Sequence, residues 1–131
     1  MKILLIEDVR TERAILKHWL AELDCEIIEA SNGVEGLALY RDYLPELVIT
    51  DLVMPEKEGI ETILSLTKEF PDVKVFAISG AGLKEPGQYL PLANKIGAVR
   101  TFAKPIDKEE LLAAVVDFFP EANPNFSPES L

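Results

Sequence analysis

Polar side chains capable of chemistry stand in this sequence at the ends of short apolar runs. KILLIE (2–7) leads into Glu7 and Asp8, ELVIT (46–50) into Asp51, VKVFAI (73–78) into Ser79, and VRTFA (99–103) into Lys104. Charges are seldom left among apolar neighbours without a partner. Asp51, followed by Leu52, Val53, Met54 and Pro55, therefore demands compensation. Three carboxylates in one crevice repel one another, and leaving all of them ionised requires positive charge beside them. Lys104 supplies one charge. A hard divalent ion such as Mg²⁺, which takes one or two carboxylates and keeps several waters, supplies the rest. A carboxylate nucleophile, a metal, a cation and a hydroxyl are the parts of phosphoryl transfer to an aspartate. In that chemistry Asp51 attacks phosphorus in line, Mg²⁺ and Lys104 offset charge on the equatorial oxygens, and Ser79 hydrogen-bonds one of them.

For these residues to meet, their runs must lie side by side. Together with CEIIEA (25–30) they make five short apolar runs alternating with segments of helical period, the pattern of a parallel sheet covered on both faces. A first helix, residues 10 to 23, places Leu16, Leu20 and Leu23 on one face with Ile15 and Trp19 flanking, and turns Lys17 and His18 away. A second opens at Ser31 or Asn32 and ends before Pro45, and a third spans about 59 to 68. GAGLKEPGQYLPLANKIGA, with Pro86, Gly87 and Pro91, predicts a long loop and a short helix. The last helix opens at Asp107, with Glu110 three residues on, and runs to Phe119 before Pro120. Right-handed crossovers make all the strands parallel and gather their C-terminal ends on one edge. Open sheets of this kind bind ligands at that edge, where the strand order reverses. The expected class is α/β: a doubly wound, five-stranded parallel sheet of flavodoxin-like (βα)5 type. Its order 2-1-3-4-5 sets the first and third strands together, so that Asp51 faces Asp8. One domain is expected over 1–119, and 120–131 (PEANPNFSPESL) reads as a loose tail.

Composition narrows the function classes. With 131 residues, 48% hydrophobic and 8% aromatic, the chain can bury one full core. A net charge of −10 with only 13 Lys and Arg argues against a nucleic-acid surface in this domain. Cys25, the single cysteine, has no internal disulfide partner and reads as a small buried hydrophobe. The run ILLI is too short for a signal peptide and no apolar stretch reaches membrane length, so a cytoplasmic, non-membrane location is expected.

The ordered set LLIEDV, VITDLVMPEKEG, AISG and FAKP resembles the receiver domains of two-component response regulators over essentially the whole ordered chain. The resemblance implies that Glu7 and Asp8 are the acidic pair holding Mg²⁺, with Asp8 a direct ligand and Glu7 acting mostly through water. It implies that Asp51 is the phospho-acceptor, that the Val53 carbonyl is the third protein ligand, and that Ser79 and Lys104 are the switch hydroxyl and the site lysine. Pro105 would follow a cis peptide, and Pro55 and Gly59 occupy turn positions after the acceptor. The implied partners are a sensor histidine kinase or phosphotransfer protein as donor, and a downstream protein target or an output domain beyond residue 119. Such a domain catalyses its own phosphorylation and dephosphorylation but is mainly a switch whose output is a population shift. The sequence departs from the family pattern in two places. Thr101 stands where a Tyr or Phe precedes the lysine by three residues, with Phe102 next door, and the stretch carrying GAGLKEPGQ is a few residues longer than usual. Val53 and Ala81, two residues after Asp51 and Ser79, offer no polar side chain to steer water, which bears on phosphoryl lifetime.

Each residue also has a plainer role. Glu7 and Asp8 can cap the first helix, Lys104 can be a solvated lysine, Ser79 before Gly80 a turn residue, and Asp51 a loop acid. Their joint placement on one sheet edge favours the phospho-acceptor. An aspartate-based phosphatase of the haloacid dehalogenase type needs a second acid two residues after its nucleophile, which Val53 cannot be. A flavodoxin-like cofactor protein needs a Ser/Thr/Gly-rich phosphate loop where EDVRTE stands. A pseudo-receiver binding partners without phosphorylation is opposed by the intact acidic set. On the last helix Leu111, Val115 and Phe118 form one apolar stripe and Leu112, Val116 and Phe119 a second. The second is either a partner or homodimer surface or a face covered by the tail.

Overall fold

The structure, a computed structural model, describes residues 1–52, 58–79 and 95–127. Strands β1 (Lys2–Ile6), β2 (Glu26–Ala30), β3 (Leu47–Asp51), β4 (Val75–Ser79) and β5 (Arg100–Ala103) interleave with helices α1 (Arg10–Leu20), α2 (Gly33–Tyr43) and α3 (Glu58–Glu69), and α4 (Lys108–Phe118) follows β5. All strand pairs are parallel and the sheet order is β2-β1-β3-β4-β5, as the alternation of apolar runs and helical segments predicts. The loop and short helix expected between Ser79 and residue 95 lie outside the described residues.

Alternation along the strands sorts their side chains between two cores. Ile3, Leu5, Leu47, Ile49, Phe76 and Ile78 pack with Leu16 and Leu20 of α1 and Leu111 and Val115 of α4. Leu4, Ile6, Val48, Val75 and Ala77 pack on the other face with Tyr40 of α2 and Ile63 and Leu66 of α3. Burying both faces is what makes the strand runs almost uninterrupted in apolar residues. Local signals place the helix ends. Asn32, rather than Ser31, caps α2 by accepting from Glu35 N at 2.8 Å, and Asp107 caps α4 by accepting from Glu109 N at 2.9 Å and Glu110 N at 3.3 Å. Leu44, in the left-handed region at φ 46°, ends α2 just before Pro45. His18 is exposed as expected. Cys25 is half-buried, and burial pushes its thiol up in pKa.

At the C-terminal end the structure describes residues as far as 127. The segment after residue 119 is not loose at its start: Pro120–Ala122 forms a 3₁₀ turn, Ala122 is fully buried, and the Asp24 N–H donates to its carbonyl at 2.8 Å. A small side chain seated in an apolar cluster, with a backbone bond to the β2 approach, outweighs the entropy of a free end. Leu112 of the second stripe is buried in the same cluster as Ala122 and Phe119 is partly buried against it, which agrees with the alternative of a face covered by the start of the tail, while Phe118 of the first stripe is exposed. No described helix is long and apolar enough to cross a membrane.

Candidate functional site

β1 and β3 are neighbours with Ile6 beside Thr50, so Glu7 and Asp51 leave the sheet at the same level. Asp51 and Ser79 end their strands, and Lys104 follows β5, its N–H donating to the Ser79 carbonyl at 2.9 Å. Glu7 is 1% exposed, Asp51 3% and Ser79 fully buried. Into this buried acidic cleft the Lys104 side chain brings an ammonium. Nζ lies 2.8 Å from Asp51 Oδ2, 2.8 Å from Glu12 Oε2 and 4.0 Å from Glu7 Oε2. Burial disfavours the charged form of Lys104, but its hydrogen bonds to Asp51 and Glu12 outweigh this and raise its pKa above the ordinary lysine range. The chain around Glu7 is pinned by Arg13, whose Nη1 donates to the Glu7 carbonyl at 2.8 Å while Nε pairs with Glu29 at 3.3 Å.

Glu7 is the strained member. Its Oε1 accepts the Val9 N–H at 3.1 Å, whereas Oε2 is buried and has no donor. Desolvation, reinforced by the neighbouring Asp51 carboxylate, pushes its pKa from 4.5 to about 8. Without a cation beside it, burial and the Asp51 carboxylate thus favour the protonated form of Glu7. A group protonated up to about pH 8 when folded but only to about 4.5 when unfolded stabilises the fold less as pH rises between those values. In buffer with chelator, Glu7→Gln should abolish that slope. The melting temperature of the variant relative to the parent should rise by roughly 5 °C or more between pH 5 and pH 9. A constant difference across that range would place the strain elsewhere.

The donor set fits a hard divalent cation. Oxygens of Glu7, Glu12 and Asp51 lie within 4.8 Å of one another, and the orphaned Glu7 Oε2 points to a missing positive partner. Residues 3–116 match the response regulator receiver domain family. The chain belongs to that family. The receiver is 29% identical over 116 residues to the chemotaxis protein CheY of Listeria monocytogenes, covering 88% of this chain and 95% of that one. It is 33% identical over 137 residues to the probable C4-dicarboxylate response regulator DctR of Bacillus subtilis, covering 99% of this chain but 59% of that protein. A crystal structure of a response regulator receiver domain protein from Clostridium thermocellum superposes with a TM-score of 0.80 at 30% identity, covering 88% of this chain and 91% of that chain.

Within the receiver, the expected residues Glu7, Asp51, Ser79 and Lys104 converge, and Asp8 does not. Asp8 is exposed, and the carboxylate that joins Glu7 and Asp51 is Glu12, from the first turn of α1. Nor do Glu7 and Asp8 cap α1, whose N-cap residue is Val9 with no side-chain bond. Gly59 lies inside the first turn of α3, not in a turn before it. The Lys104–Pro105 peptide is cis, as the resemblance implies. Val53, Pro55, Ala81 and GAGLKEPGQ lie outside the described residues. Of the switch candidates besides Ser79, Phe102 is 3% exposed and packs its ring 5.5 Å from Phe76, while Thr101 is half-buried beside Ala77. Adjacent strand residues face opposite ways, so Phe102 is a core ring and cannot stand in at the position of Thr101. Sequence reading missed Glu12 and Arg13. An acid in the first turn of a helix normally signals only a favourable interaction with the helix dipole.

Proposed function

We propose that this receiver accepts a phosphoryl group on Asp51 from the phosphohistidine of a sensor histidine kinase or phosphotransfer protein. The reaction depends on Mg²⁺, and its product shifts the population toward a conformation that binds a downstream target differently. The observation that carries this reading is the Asp51–Lys104 pair, a carboxylate 3% exposed held 2.8 Å from an ammonium. A carboxylate attacking an anionic phosphoryl group is repelled unless positive charge sits where the negative charge concentrates. Lys104 is already there. Asp51 attacks phosphorus opposite the imidazole nitrogen, the oxygen–phosphorus bond forms as the phosphorus–nitrogen bond breaks, and the ring keeps the electron pair. Glu7 and Asp51, whose oxygens already lie together, would hold Mg²⁺, joined as the family resemblance implies by the Val53 carbonyl and by Asp8, which would have to turn in from its exposed position; the ion would supply further charge compensation to the phosphoryl oxygens.

Ser79, buried at the end of β4, would donate its hydroxyl to a phosphoryl oxygen and carry the signal into the residues that follow it. Thr101 leaves this transmission without the usual ring, so the hydroxyl carries the larger share. The downstream target is a separate protein or an output domain in a longer regulator, the second being consistent with the greater length of DctR. Intact mass after incubation with phosphoramidate tests the reading. A gain of one phosphoryl group in Mg²⁺, abolished by chelator, is expected. No gain by folded protein, under conditions that modify another receiver, would overturn it in favour of an interaction module independent of phosphorylation.

A further inference from the structure

Glu12 shares the acidic cluster with Glu7 and Asp51 but has been given no role toward the phosphoryl group, yet its contact with the site lysine is as short as that of the acceptor itself. Lys104 Nζ lies 2.8 Å from Glu12 Oε2 and 2.8 Å from Asp51 Oδ2. The two carboxylates differ in surroundings: Asp51 is 3% exposed, whereas the Glu12 side chain is 41% exposed on α1. Lys104 is thus clamped between a buried anion that cannot leave and a rim anion that can return to water. Resting on the phospho-acceptor reading above, we propose that Glu12 is a positioning residue that holds the Lys104 ammonium at the mouth of the site and yields it to the incoming phosphoryl group.

An ammonium has three protons and no acceptor capacity. Asp51 and Glu12 engage two of them, and the Glu7 oxygen at 4.0 Å is too distant for a hydrogen bond. A phosphoryl group on Asp51 brings three oxygens to the cleft, enough both to take the free proton and to compete with Glu12 for the one it holds. The Glu12 charge also repels an anionic donor on its way in. Both effects slow phosphoryl uptake, and removing Glu12 leaves Lys104 anchored by Asp51. The contact also links α1 to the segment after β5 across the cleft, so release of Glu12 on phosphorylation frees two elements of the surface from one another.

The test is phosphoryl uptake from phosphoramidate at saturating Mg²⁺, followed by intact mass, for the parent protein, Glu12→Gln and Glu12→Asp. In this reaction the phosphorus–nitrogen bond breaks as the Asp51 oxygen–phosphorus bond forms, and ammonia leaves carrying the three hydrogens it already bears in the zwitterionic donor. Glu12→Gln should raise the second-order rate by about 3- to 10-fold, and should tighten binding of beryllium trifluoride, a phosphoryl mimic, by a similar factor. Glu12→Asp keeps the charge but withdraws it by one methylene. It should show more than half of that gain, because the contact is what engages Lys104. A rate unchanged or lowered in Glu12→Gln overturns the inference while the parent protein's uptake still upholds the phospho-acceptor reading. Glu12→Asp indistinguishable from the parent, with Glu12→Gln faster, also overturns it, since the effect would then be the field of a charge rather than a held lysine. Failure of the parent to take up phosphoryl overturns both. Thermal unfolding within about 3 °C for all three proteins, as expected for a rim ion pair, separates these outcomes from misfolding.

Discussion

Asp51→Asn should leave a folded protein that takes up no phosphoryl group. Asparagine keeps the shape of the side chain but offers an amide oxygen in place of an ionised one, so the nucleophile is gone while the cleft is intact. Removing a nucleophile in a preorganised site costs orders of magnitude, and uptake slower by roughly 10³-fold or more is expected, below detection by intact mass. Stability should move little. Lys104 loses its buried partner at 2.8 Å but keeps Glu12, and Glu7 loses the carboxylate that raises its pKa. The two effects oppose one another. Uptake by Asp51→Asn at the parent rate would move the acceptor to another residue.

Gly59→Ala should destabilise the receiver by about 3 kcal/mol or more and lower its melting temperature by on the order of 10 °C. Helix propensity alone predicts the reverse, since alanine within a helix is favoured over glycine by about 1 kcal/mol. Packing decides the sign. A β-carbon at Gly59 would fall 2.2 Å from the Asp51 carbonyl oxygen and 2.6 Å from Leu52 Cα, both backbone atoms of the segment leaving β3. Backbone at the end of a central strand cannot step aside as a flexible side chain can, so α3 or the acceptor segment must move. Asp51 should then sit off line from Lys104 and uptake should fall as well. Thermal unfolding with chelator and phosphoramidate labelling read the two effects separately. A stabilised or unchanged variant would mean that this approach is looser than the structure has it.

The sheet was legible because its signals are local and redundant. Each strand is a run of residues apolar on both faces, and a βα alternation with one crossover hand leaves few ways to arrange them. The same reasoning brought Glu7, Asp51, Ser79 and Lys104 to one edge, because parallel strands must end together. The caps at Asn32 and Asp107 needed only a side-chain oxygen and the three residues after it. The seat of Ala122 was not legible: Pro120 stops α4 as expected, but the packing of Ala122 between α4 and the β2 approach is a long-range event.

Composition and periodicity by themselves determined the class of the fold, the two-sided core, the domain's acidic character and the cleft in which an aspartate, a lysine and a hydroxyl meet. Only tertiary structure decided which acids share that cleft. Glu7 and Asp8 are adjacent and chemically alike, yet one is 1% exposed and the other lies at the surface, because side-chain direction at a strand end depends on how the next helix is set. Glu12 reaches a lysine 92 residues away. Phe102 turns inward, and Gly59 serves close backbone approach rather than a turn. Each of these turns on the separation of atoms distant in sequence, within an ångström or so. Local patterns fix a residue's face, whereas helix placement over the sheet fixes what that face meets.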